Sequence, residues 1–159
     1  MKNFFAAMII AVMAFCAADA KVVKNVNIPD SFKAGGTALV LNGTGMRTKF
    51  GMNIYIGALY LKAKSADAVR ICGADEPMSV RLHIVSGLVT PERMAENTRD
   101  GFKKSSGGNM GLYKAGMEKF INTFKDGIKV GDFYDLVYMP GKGTQVYKNG
   151  APRSLVEGL

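Results

Sequence analysis

The chain has 159 residues, 48% of them hydrophobic, and 21 Lys+Arg against 13 Asp+Glu give a net charge of +8. That length fits one domain with a core of its own. The basic residues are scattered, with Lys103-Lys104 the longest run; this excludes the Lys/Arg block or aromatic-interleaved motif of a nucleic-acid binder and points to anionic ligands or surfaces.

Residues 1–20 open with Met1-Lys2-Asn3, continue as an apolar run from Phe4 to Cys16, and end on Ala18-Asp19-Ala20. A positive start, a short apolar stretch and small residues before a cut are the parts of a secretory signal. The run falls short of the roughly 20 apolar residues that span a bilayer, and no later segment is apolar enough to span one. The reading predicts cleavage after Ala20, a mature domain over 21–159, and a periplasmic or secreted location. Lys2 and Asp19 cancel, so the mature chain keeps its charge. Cys72 is then the one cysteine left, unable to form an intramolecular disulfide, and it reads as a small buried hydrophobe.

Residues 21–28 predict an edge strand ended by Pro29-Asp30. Residues 37–41 are β-rich and run into Asn42-Gly43 and Thr44-Gly45, where paired glycines signal a bend, a bulge or a close backbone approach. Residues 52–61 form a long strand pattern, with Ile54, Ile56, Ala58 and Tyr60 on one face and Tyr55, Gly57, Leu59 and Leu61 on the other. A strand apolar on both faces is covered on both, hence central. Residues 65–71 predict a short helix capped by Ser65 and stopped by Gly73. Residues 80–85 alternate as a strand.

Thr90-Pro91-Glu92 is a helix start: a hydroxyl cap, proline at the first helical position, then an acid near the positive helix end. That helix runs to about Lys104, where the Ser/Gly/Asn stretch 105–109 breaks it. A second helix follows, with Tyr113, Met117, Phe120, Ile121 and Phe124 at spacings of three and four, and Gly127 as its C-cap. Residues 133–139 are a strand, Pro140-Gly141 a type II turn, 144–147 the hairpin partner, and Asn149-Gly150 a second tight turn. Strands, then two helices, then strands predict an α+β domain: an antiparallel sheet with helices packed on one face.

Several chemical motifs fail. Gly141-Lys142-Gly143-Thr144 lacks the spacing of a phosphate loop and reads as a hairpin turn. His83 is the only histidine, so no histidine-rich metal site can be built, and no nucleophile–histidine motif is present. No cofactor or metal is implied. Met94, Met110 and Met117 read as core filler. Two places remain: Leu41-Asn42-Gly43-Thr44-Gly45-Met46-Arg47 with the strand containing Tyr55 after it, and Thr90 to Asn97, where Arg93 and Asn97 lie four apart on one helix face.

These stretches, the second amphipathic helix, and Gly131-Asp132 before the strand ending in Pro140-Gly141 follow one another in an order that resembles the chalcone isomerase-like family, in its exported bacterial branch. The resemblance covers roughly residues 22 to 158. It implies an open-faced β-sandwich with a cleft between sheet and helices. True chalcone isomerases close a phenolate oxygen onto an unsaturated ketone, using cations and hydrogen bonds that stabilise the developing charge. Matched by position, the strand arginine is Arg47, the cationic helix residue is Arg93 and the helix asparagine is Asn97; these would be catalytic in an isomerase. The plant-type tyrosine falls on Thr90, already a cap, and a strand threonine falls on Tyr55. The family's closing C-terminal helix should follow Glu157-Gly158, where this chain stops at Leu159.

Fatty-acid-binding relatives hold a carboxylate with the strand arginine and a tyrosine, as Arg47 and Tyr55 could here. The resemblance therefore implies a small amphipathic anion, fatty acid or phenolic, bound by Arg47, Tyr55, Arg93 and Asn97. Alternatives are an active isomerase and an envelope interaction protein without a small ligand. An uncovered C-terminal end leaves room for self-association. The plain readings stay open beside these: a solvated Arg47, a core Tyr55, and Arg93 with Asn97 as an ordinary polar helix face.

Overall fold

The computed structural model describes residues 20–157. The export signal read over 1–20 lies outside them, except that Ala20 opens the first strand. The elements run β1 (Ala20–Val23), β2 (Val26–Pro29), β3 (Ser31–Ala34), β4 (Thr37–Lys49), β5 (Met52–Leu61), α1 (Ala68–Gly73), β6 (Met78–Ile84), α2 (Pro91–Ser105), α3 (Lys114–Asn122), β7 (Phe133–Met139), β8 (Gly143–Lys148) and β9 (Ala151–Val156). Strands β3 to β9 form a seven-stranded sheet in sequence order, and every neighbouring pair is antiparallel. The domain is α+β, as expected, and the two longer helices share one connection, between β6 and β7.

Tight turns set the registers. Lys24-Asn25, Gly35-Gly36, Phe50-Gly51 and Asn149-Gly150 all hold two successive residues at positive φ, the geometry whose twist matches paired strands. Between β7 and β8, Gly141 sits at φ +70° and the Met139 carbonyl accepts from the Lys142 amide at 3.0 Å.

The sheet has a core on each face. On the near face, Ile84, Val89, Phe124 and Tyr134 pack with Leu82, Met94, Phe120 and Leu136 beneath α2 and α3. On the far face, Leu39, Leu41, Ile56, Ala58, Tyr60 and Val137 pack with Ile28 of the small β1–β2 hairpin. Tyr60 is sealed there. Its hydroxyl donates to the Pro29 carbonyl at 2.9 Å, Phe32 meets its ring edge-on at 4.7 Å, and burial pushes its pKa up to about 12.

Several expectations need correction. Residues 21–28 are a hairpin rather than one edge strand, because Lys24-Asn25 turns the chain back. Strand β3 was not anticipated. Helix α1 starts later than expected, and its cap is Asp67, which accepts from the Arg70 amide, while Ser65 Oγ accepts from Asp67. Cys72 is exposed rather than buried. No helix follows β9 among the described residues, yet the near face of β9 is not bare. Helix α3 packs there, Val156 is buried, and Thr123 Oγ1 lies 2.7 Å from Ser154 Oγ. Among the described residues no helix is long and apolar enough to cross a membrane.

Candidate functional site

The glycine-rich stretch in β4 is a bulge. Leu41 pairs with Tyr60 and Gly43 with Leu59, which leaves Asn42 as the extra residue, its Oδ1 accepting from the Ser65 amide at 2.7 Å. Bulges bend a strand and increase its twist. Beyond this one, Gly43, Gly45 and Arg47 alternate onto the near face, and Arg47 pairs directly with Tyr55 of β5. The guanidinium carbon lies 5.8 Å from the Tyr55 ring centroid.

Helix α2 supplies the opposite wall. Thr90 caps it, accepting from the Arg93 amide at 3.3 Å, with Pro91 at its first turn. The Thr90 oxygen thus accepts from the backbone, while its O–H bonds the Glu92 carboxylate and lowers that group's pKa. Arg93 Nη1 donates to the Leu88 carbonyl at 3.2 Å, tying the guanidinium to the loop that precedes the helix. Asn97 Nδ2 donates to the Arg93 carbonyl at 2.6 Å, so part of its donor capacity is spent inside the helix.

Between these walls lies a cavity of about 480 Å³. All four residues singled out from the sequence, Arg47, Tyr55, Arg93 and Asn97, line it. Its apolar wall comes from Leu82, Val89, Met94 and Phe120. The volume lies in the range of small-molecule pockets, roughly 300–1,000 Å³. Tyr55 is half-buried and faces the cavity, whereas Arg47, Arg93 and Asn97 are exposed. Arg47 therefore stands at the mouth of the cleft and not at a buried floor.

Sequence reasoning gave no site role to four contributors. Lys49 adds a cation near Arg47, Glu96 sets a carboxylate in the helix wall, and Phe50 with Met52 forms an apolar lip. Phe50 is 86% exposed at φ +52°, a conformation that bulky L-residues rarely adopt. The Phe50-Gly51 pair between two alternating runs was the available hairpin signal. Chemically the arrangement offers cations and a phenol at one end and hydrocarbon walls behind them. That suits a molecule with an anionic head and an apolar body. Among the described residues no group of three or more His, Cys, Asp or Glu could hold a metal ion.

The profile of the family described as chalcone isomerase-like matches residues 20–159. Among solved structures, the crystal structure of a fatty-acid binding protein from Arabidopsis thaliana matches with a TM-score of 0.64 at 20% identity, over 88% of this chain and 83% of that one. At that identity the likeness is one of fold. No curated protein matches the chain.

Proposed function

The chain belongs to the chalcone isomerase-like family, and on that premise we propose that it binds an amphipathic anion, a fatty acid foremost and a phenolic second, in the cleft between sheet and helices. The observation that carries this is the Arg47–Tyr55 pair at the mouth of an apolar-walled cavity. A carboxylate there takes charge-assisted hydrogen bonds from Arg47 and the Tyr55 hydroxyl, with Arg93 and Asn97 flanking it, while the hydrocarbon meets Leu82, Val89, Met94 and Phe120. The Arabidopsis thaliana protein of like fold is a fatty-acid binding protein, which supports the choice of ligand. Calorimetric titration with hexadecanoate tests it. Arg47→Ala should weaken binding by about 1.5 kcal/mol, the low end for a charged hydrogen bond because the guanidinium is exposed. Absence of binding to wild type, or equal binding to the variant, overturns the reading.

The proposal includes export. Residues 1–20 carry the signal pattern, and N-terminal sequencing of the protein from a Gram-negative periplasm should begin at Lys21. Intact Met1 on cytoplasmic protein overturns that part. Self-association belongs here too. Strand β9 is an edge of the sheet and can pair with a second copy, although Pro152 removes one donor from it. Sedimentation velocity separates monomer from dimer.

A further inference from the structure

The β4–β5 hairpin outruns its sheet. Strand β3 pairs with β4 only as far as Val40, and β6 pairs with β5 only from Tyr55 onward. The end of the hairpin therefore has no third strand beside it, and every residue from 47 to 53 is exposed. The tip carries two local costs. Phe50 is 86% exposed, and it sits at φ +52° in a turn that asparagine fills with less strain. Lys49 Nζ lies 5.6 Å from its ring centroid, but between two exposed groups such a contact is too weak to offset both. Met52, just past the turn, is 46% exposed as well. A single exposed apolar side chain is ordinary; a strained aromatic at the end of an overhanging ribbon, with a methionine beside it, is not accounted for by folding.

The charge around the tip has one sign. No Asp or Glu occurs from Ser31 to Ala66. Lys49 and Arg47 stand one and three residues behind Phe50, and among the described residues neither is in an ion pair. Of the residues lining the cavity, Glu96 alone is acidic, against Arg47, Lys49 and Arg93. Val69 is as exposed as Phe50 but keeps different company: it lies on α1, past the opposite end of β5, among Asp67, Asp75 and Glu76. Apolar groups at a tip with long cationic side chains just behind them suit a lipid headgroup layer. The apolar groups enter the acyl boundary, and the cations stay level with the phosphates.

We infer that the β4–β5 tip docks on an anionic lipid surface. Phe50 and Met52 enter the bilayer boundary, Lys49 lies among the phosphates, and Arg47 stays just above them at the cavity mouth. Lys49, Phe50 and Met52 also line the cavity, so docking sets the mouth of the cleft at the level of the headgroups. The strain at Phe50 is then a cost to the free protein that the membrane-bound one recovers. The inference stands independently of the ligand proposed for the cleft.

The chain has no tryptophan, so a single introduced one reports its own surroundings. Phe50→Trp and Val69→Trp are each mixed with vesicles of phosphatidylcholine, with and without phosphatidylglycerol. Every variant is prepared in the same way and carries the same N-terminus, so the apolar run at 4–16 affects all alike. On the anionic vesicles the emission of Phe50→Trp should move to the blue and be quenched by brominated acyl chains, and that of Val69→Trp should do neither. In co-sedimentation Phe50→Asn should bind these vesicles about tenfold more weakly than wild type, the lower end for withdrawing one phenylalanine side chain from hydrocarbon. Lys49→Gln should bind about fivefold more weakly, the effect of one cation near an anionic surface. No blue shift at position 50, or the same shift at both positions, overturns the inference. So does equal binding to vesicles without phosphatidylglycerol, where the cations have nothing to meet. If Phe50→Trp does not fold, Phe50→Asn decides the matter, and unchanged binding by it overturns the inference. A dimer that forms without lipid and is lost in Phe50→Asn makes a second copy the occupant, against the inference. Docking on anionic vesicles by a protein that binds no hexadecanoate upholds the inference and overturns only the proposed function.

Discussion

Arg47 faces Tyr55 across the β4–β5 ladder because β5 carries one extra residue: Thr48 pairs with Asn53, the next pair is Arg47 with Tyr55, and Ile54 is left between. Counting back from the Phe50-Gly51 turn without that bulge would set Arg47 against Ile54. The extra residue swaps an apolar partner for a phenol and turns Ile54 into part of the cavity wall. The two side chains should therefore be coupled. A double-mutant cycle of Arg47→Ala and Tyr55→Ala, followed by urea unfolding, should give a coupling of about 0.5 kcal/mol, the size of an exposed cation–π contact. With hexadecanoate bound the coupling should grow, because both groups then hold one carboxylate.

Chalcone closure is a different demand on the same residues. The resemblance sets the plant-type tyrosine donor at Thr90, a shorter side chain whose oxygen accepts from the Arg93 amide and whose O–H bonds the Glu92 carboxylate. Loss of one such donor commonly lowers a rate about 10²–10³-fold. Hydroxychalcone cyclisation, followed by absorbance, should be slow or absent. A rate like that of a plant enzyme, lost on Arg47→Ala, would make the isomerase reading correct.

On the far face Arg81 grips Asp135 through two parallel bonds of 2.6 and 2.8 Å, and its guanidinium lies 4.4 Å from the Phe133 ring centroid. The two side chains are only 12% and 8% exposed. Removing one partner of a buried pair strands the other, so Asp135→Ala should cost about 3 kcal/mol in urea unfolding. Ligand affinity should hold, because the pair lies across the sheet from the cleft.

Acid should loosen the end of β8. Burial opposes the Asp132 charge, but hydrogen bonds from Asn149, the Lys129 amide and Lys148 hold its pKa below the ordinary 3.8. The group is depressed on folding, so its stabilisation is present above that value and is lost as pH falls through the folded one. Lys148 behaves oppositely. Burial disfavours its charge, but Asp132 and Tyr134 raise its pKa above 10.5, so its contribution fades only as pH climbs past that value. Asp132→Asn should lower the stability plateau between these limits and flatten the acid limb of a stability–pH curve.

Phe50 occupies a left-handed position that asparagine tolerates better. Phe50→Asn should stabilise the fold by about 0.5 kcal/mol, after allowing for the exposed contact of Lys49 with the Phe50 ring. A lower melting temperature would mean that the apolar lip packs more than its exposure implies.

Much of the fold was legible because side-chain periodicity reports it directly. Strand β5 alternates from Tyr55 to Leu61, while the bulge carries Ile54 from the expected Ile56 face to the cavity face; Thr90-Pro91 announces α2, and Pro140-Gly141 marks the β7–β8 turn. The N-terminal hairpin was hidden because Lys24 is a poor left-handed residue, and its turn is held by the packing of Val23, Val26 and Ile28 beneath the sheet. Strand β3 spans only Ser31–Ala34, too short for alternation to register. At the site, residue types pointed to Arg47, Tyr55, Arg93 and Asn97, and all four line one cavity. Their exposure was not legible, since it depends on how far α2 stands from the sheet. Lys49 and Glu96 escaped notice because a single charge on a strand end or helix face looks like ordinary solvation.

Strands β3 to β9 follow one another in space as they do in sequence, and the link from β6 to β7 carries both helices that roof the cleft. One contiguous segment, about 85 to 132, therefore carries the roof, while the β4–β5 hairpin that holds Arg47 and Tyr55 lies wholly outside it. Changes within that segment can therefore reshape the roof without touching the β4–β5 ladder that sets Arg47 opposite Tyr55.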